Sequence, residues 1–143
     1  MKTINSASAS YEGMGKDGKG HVSTKSGALD NPYGFKTRFE DAAGTNPEEM
    51  IAAAHAACFT MATSFQLAEA GHENGTLHTT CDVTLEGDGE GGFDVTKSAL
   101  KLTGKLPGVT KEEFEELAAK AKEGCPISKL FNCEITLETE FEG

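Results

Sequence analysis

Tryptophan is absent from this chain, arginine occurs once, and no uninterrupted run of 18 apolar residues is present. The missing run leaves no expected membrane span. The opening MKTINSASASYEG lacks the apolar centre of a secretory signal, so a cytoplasmic location is expected. Thirteen Lys+Arg against 23 Asp+Glu give a net charge of −10, which disfavours nucleic acid and anionic membranes as partners. No Cys-x-x-Cys pair occurs, which removes zinc ribbons and thioredoxin-like motifs. There are no internal repeats and no low-complexity tail. What remains is 143 residues, 37% hydrophobic, expected to form a single domain over 1–143 with a usable but lean core.

Strand and helix patterns alternate along the chain and predict an α+β fold. Residues 3–12 and about 21–25 read as an N-terminal hairpin across a glycine-rich turn. Residues 26–44 read as loop, with a short strand at Phe35–Phe39 that carries Arg38. Asn46-Pro47-Glu48-Glu49 then supplies a cap, a proline at the first helical position and two carboxylates in the positive first turn. A central helix is predicted over about 47–70, stopped by Gly71. Ile51, Ala54, Cys58, Met61, Phe65 and Ala68 form an apolar stripe, and the rest of Met50–Phe65 is nearly uncharged, so burial on several sides is expected. Strands follow at 76–86 and 93–106, the second with a bulge near Lys97–Ser98. A helix is predicted over 111–123, a short one over Ile127–Phe131, and a last strand over 133–142.

The four cysteines have different prospects. Cys81 and Cys133 fall at inward strand positions and read as small apolar filler. Cys125 stands next to the N-terminus of the short helix, where unpaired N–H groups favour a thiolate. A cysteine merely acting as cap is the plainer alternative. Cys58 is mid-helix in apolar surroundings that raise its pKa, and by itself reads as an inert buried thiol. To act as a nucleophile it needs a cation. Arg38, the one arginine among residues that otherwise use lysine for positive charge, is the candidate, because its fork of donors grips a thiolate or carboxylate. Glu48 and Cys58 are ten residues apart, roughly 15 Å along a helix. One arginine meets both only by bridging an unusually long gap or where a second chain brings them together, and an interface between two chains is the natural way.

TNPEEMIAAAHAACFTMA together with GCPISKL resembles the osmotically inducible protein C and organic hydroperoxide resistance family of thiol-dependent peroxidases. PYGFKTRFE ahead of the helix resembles its OsmC branch. The resemblance implies an intertwined homodimer, with antiparallel sheets wrapped around two central helices and two sites at the subunit interface. By motif position it implies that Cys58 is the peroxidatic cysteine, Cys125 the resolving one, Arg38 the arginine and Glu48 its carboxylate partner, with Glu49 as the alternative acid. It implies a sulfenic acid on Cys58, a Cys58–Cys125 disulfide, and reduction by an external dithiol, a lipoyl-type one among the candidates. The substrate implied is an organic hydroperoxide and, more weakly, hydrogen peroxide, in oxidative and osmotic stress defence. No metal, haem or flavin is required. Met50, Phe59 and Met61, with Phe39, are expected to receive an alkyl chain.

Two other readings compete. In one, His55-x-x-Cys58 and His78-x-x-Cys81 hold a metal, although residues three apart on a strand face opposite ways. His55 reads instead as a hydrogen-bonded interior or interface histidine. In the other, the chain is a non-catalytic dimer that binds a small apolar ligand and has no unusually reactive thiol.

Overall fold

A computed structural model describes all residues, Met1–Gly143. They form two compact units, Met1–Met50 and Ile51–Gly143.

The first unit is an antiparallel sheet of β1 (Ala7–Glu12), β2 (Lys19–Thr24) and β3 (Asp30–Tyr33), in that order. Pro32, which cannot donate to a ladder, lies on edge strand β3. The strand expected at Phe35–Phe39 is instead a helix, α1 (Phe35–Phe39). Local side-chain bonds override the extended pattern there. The Gly34 N–H donates to Thr37 Oγ1, which in turn donates to the Gly34 carbonyl, at 2.8 and 3.0 Å. Phe35 and Phe39, four apart, stack with ring centroids 5.0 Å apart, a pairing that one helix face permits.

Helix α2 (Pro47–Glu69) starts in the first unit, and the rest of it belongs to the second. Asn46 caps it by accepting from the Glu49 N–H at 2.8 Å, as the sequence predicts. Its other end is a left-handed glycine cap. Gly71 has φ of 95°, and its N–H and that of His72 bond back to Ala68 and Leu67. In length and composition α2 passes for a membrane span, and it buries one stripe in the second unit. That stripe is His55, Phe59, Thr63 and Leu67, not the predicted Ile51–Ala54–Cys58–Met61–Phe65–Ala68. Of the predicted set, Cys58 is half-buried against the core, while Ala54, Met61, Phe65 and Ala68 are exposed in the single chain. A helix apolar nearly all round does not declare which face its own sheet covers.

The second unit continues with β4 (Thr76–Gly87), β5 (Phe93–Lys105), α3 (Lys111–Gly124), α4 (Pro126–Leu130) and β6 (Glu134–Glu142). The sheet order is β4-β5-β6. β4 pairs antiparallel to β5, but β6 runs parallel to it, so this sheet is mixed rather than antiparallel throughout. A parallel pair needs a crossover, and α3 and α4 supply it. The β4–β5 register slips between Thr84 and Leu85, opposite Lys97 and Val95, which leaves Thr96 as the extra residue one place from the predicted bulge. Below it Ser98, Leu100 and Leu102 turn inward and are buried. Leu100 and Leu102 join Phe59, Leu67, Phe114, Leu117, Ala118 and Ala121 in one core. The expected apolar face of α3 is all there, and Thr110 caps that helix by accepting from the Glu113 N–H. Cys133 lies just ahead of β6 and is half-buried.

Candidate active site

In the first unit, α1 presents Arg38 to Glu48 in the first turn of α2. Nε donates to Oε1 at 2.7 Å and Nη2 to Oε2 at 2.9 Å, a two-pronged grip in which the planar fork matches the carboxylate. The hydrogen bond to Glu48 raises the pKa of a group that is already permanently charged. Glu49, the alternative acid, is engaged elsewhere, with Thr45 Oγ1 donating to it at 2.9 Å. Asn46 ties the helix start to α1 by donating to the Thr37 carbonyl. Gly44 allows the sharp entry to this segment. Its φ is 138°, and a Cβ there would stand 2.5 Å from the Pro32 carbonyl oxygen. Arg38 also lies over the Phe39 ring, 5.4 Å from its centre. Beside it opens a hollow of about 190 Å³, lined by Tyr11, Tyr33, Phe35, Arg38 and Phe39.

In the second unit, α2 carries Cys58 to Cys125, which occupies the corner between α3 and α4. Their sulfurs are 2.8 Å apart across 67 residues of chain, with both thiols free. That is about 0.8 Å beyond a disulfide bond of ~2.05 Å. The corner follows from the sequence. α3 ends at Gly124, Pro126 opens α4, and Cys125 serves as both the end of one helix and the cap of the next.

The two thiols are not equivalent. Burial and the bond to Cys125 push the Cys58 thiol up, more than the Ile127 N–H lowers it. Burial also acts upward on Cys125. The bond with Cys58, the N–H and hydroxyl of Ser128 and the N–H of Ile127 outweigh it, so the Cys125 thiol is lowered. No cation is among the groups that shift the Cys58 thiol.

The other predicted residues divide. Cys81 packs against the core as expected, and its sulfur lies 3.2 Å from Ser98 Oγ. His55 is buried and bonded through both ring nitrogens, to Ser98 and Ser128. With Cys58 turned to Cys125, the His55/Cys58 metal pair loses its free donors. His78 is exposed while Cys81 faces inward, so the second pair diverges. Phe59 has no exposed surface and is part of the core, so it cannot receive a substrate chain. Met61 is 60% exposed in the single chain. Tyr11, Tyr33 and Phe35 beside Arg38, and Ser98 and Ser128 beside His55, are neighbours that sequence reasoning missed. Only the clustering of aromatics around PYGFKTRF hinted at the first group.

Residues 40–140 match the family model described as OsmC-like protein. The chain is 50% identical over 135 residues to peroxiredoxin OsmC of Escherichia coli (strain K12), covering 94% of each chain. An organic hydroperoxide resistance protein from Elizabethkingia anophelis superposes with a TM-score of 0.73 at 28% identity, covering 100% of this chain and 99% of the other. An OsmC-like protein from Mycoplasma pneumoniae superposes with a TM-score of 0.78 over the whole of both chains. At 13% identity, that match speaks to the fold alone.

Proposed function

Since the chain belongs to the OsmC-like protein family, we propose that it is a cysteine-based peroxidase that reduces organic hydroperoxides in cytoplasmic oxidative and osmotic stress defence. The observation that carries this reading is the pair of free thiols, Cys58 and Cys125, held 2.8 Å apart by separate elements.

The proposed chemistry uses the chain's own side chains. Arg38, oriented by Glu48, holds Cys58 as thiolate and steadies the charge that develops on the leaving oxygen. The thiolate attacks the distal peroxide oxygen, and the O–O bond breaks. The remaining alkoxide takes a proton and departs as alcohol. Cys58, now a sulfenic acid, condenses with Cys125 to a disulfide and water. An external dithiol restores both thiols by exchange. The hollow lined by Tyr11, Tyr33, Phe35 and Phe39 supports a preference for carbon-bearing hydroperoxides.

The working form is proposed to be a homodimer. Ala54, Ala57, Met61 and Phe65 present an apolar face of α2 that the chain's own sheet leaves uncovered. A second copy laid against that face forms the central helix pair and completes each site with Arg38.

Peptide mapping after one equivalent of an alkyl hydroperoxide tests the reading. It predicts a Cys58–Cys125 disulfide in most of the protein. Recovery of both cysteines as free thiols with the peroxide unconsumed would reject it.

A further inference from the structure

Two glycines of the first unit stand where the backbone does not call for them. Gly18 has φ of −70°, and Gly20, buried in strand β2, is likewise outside the left-handed region. A glycine inside a strand weakens it and marks a close approach of something else. Here the something is a pair of rings. A Cβ at Gly20 would stand 2.6 Å from Tyr33 Cε1 and 2.8 Å from its Cδ1 and Cζ, and one at Gly18 would overlap the Tyr11 ring. Gly20 is the ladder partner of Tyr11 on β1 and of Tyr33 on β3, and directly opposed residues share one face of a sheet. The missing side chains are what let both rings lie down on that face. They meet edge to face with 6.1 Å between centres.

The rings are also held. The Tyr11 hydroxyl donates to the Gly15 carbonyl at 2.7 Å. The backbone of Tyr33 pairs with Thr45, two residues ahead of α2. Both rings line the hollow of about 190 Å³ in which Arg38 is the one charged side chain. Tyr33 and Phe35 line a second hollow as well, of about 240 Å³, which Gly18 and Gly20 border from its own side. Gly20 borders only that second space, so a side chain there would displace the Tyr33 ring and reshape the space beside Arg38.

We propose that Gly20 and Tyr33 form the specificity-determining pair of this chain. The bare backbone at Gly20 seats the Tyr33 ring as a fixed wall beside Arg38. That wall receives the carbon group of a hydroperoxide, and it sets the preference over hydrogen peroxide, which carries no group to rest on it. Tyr33 touches the substrate, and Gly20 acts through Tyr33. This rests on the peroxidase reading above and adds to it which residues do the selecting.

The test measures kcat and KM for cumene hydroperoxide and for hydrogen peroxide, with a saturating dithiol, in wild type, Tyr33→Ala, Tyr33→Phe and Gly20→Ala. The ratio of the two kcat/KM values is expected to fall about tenfold in Tyr33→Ala and Gly20→Ala, the scale of losing one well-seated apolar contact. The fall comes mostly through KM for cumene hydroperoxide, as a loss of uniform binding does. Tyr33→Phe, which keeps the ring, holds most of the wild-type ratio. A merely structural role would slow both substrates alike and leave the ratio where it was. An unchanged ratio in Tyr33→Ala overturns the proposal, and so does a ratio that falls as far in Tyr33→Phe, since the ring would then not be the wall. An unchanged ratio in folded Gly20→Ala removes the seating role and overturns the pair. Should Gly20→Ala fail to fold by circular dichroism, the two Tyr33 variants decide. If wild type consumes neither peroxide, the peroxidase reading fails and this inference falls with it. If wild type turns over and only the ratio is flat across the variants, this inference alone fails.

Discussion

Arg38 grips Glu48 with two parallel bonds, Nε to Oε1 and Nη2 to Oε2, across ten residues of chain. A lysine keeps the charge but offers a single ammonium in place of the fork. Arg38→Lys is therefore expected to lower kcat/KM for an alkyl hydroperoxide by about a hundredfold, the scale of losing one oriented donor to a developing negative charge. Steady-state assays with a saturating dithiol check this. Near-normal turnover in Arg38→Lys would show that the fork is dispensable.

Cys125→Ser retains the proposed attacking sulfur and removes the one that closes on it. The variant is expected to consume about one equivalent of peroxide and then stall with one extra oxygen on Cys58. Intact-mass measurement after a single addition reads this directly. Sustained turnover at the wild-type rate would mean that a sulfur or reductant other than Cys125 resolves the intermediate.

Met61 and Phe65 are 60% and 67% exposed in the single chain, on the open face of α2. Placing a charge there is expected to separate the proposed dimer, because an unpaired charge buried in an apolar interface costs several kcal/mol. Sedimentation of Met61→Glu and Phe65→Glu should give the mass of one chain, with activity lost, against two chains for wild type. A wild type that sediments as one chain contradicts the shared site.

The buried imidazole gives a signed pH effect. The pKa of His55 is lowered in the folded state, so as pH falls through its unfolded value of about 6.5 the unfolded chain binds more protons. Stability then drops, by at most about 1.4 kcal/mol per pH unit from this group. Urea unfolding at pH 7.5 and 5.5 should show a larger loss in wild type than in His55→Gln. Equal losses would mean that the ring titrates alike in both states.

How far the chain could be read in advance depended on the kind of signal. Helix ends were legible because local chemistry makes them. Asn46 caps α2, Gly71 stops it, and Gly124-Cys125-Pro126 turns α3 into α4. The strands were legible where polar and apolar residues alternate, as in β4 and β6. The buried face of α2 was not, because alanine and methionine on one side look no different from phenylalanine and leucine on the other. Nor was α1, a single turn whose existence depends on Thr37 bonding to Gly34 and on two rings stacking. The approach of Cys58 to Cys125 spans 67 residues and could not be read from spacing. The His55 network needs partners from β5 and α4, which a linear pattern does not bring together. The parallel pairing of β6 is invisible for the same reason, since parallel and antiparallel strands can share one alternation.

The most direct measurement is dithiol-dependent consumption of an alkyl hydroperoxide by wild type and Cys58→Ser side by side. The account predicts steady turnover in the first and none above background in the second, with the same far-ultraviolet circular dichroism. Comparable turnover by both proteins would contradict it.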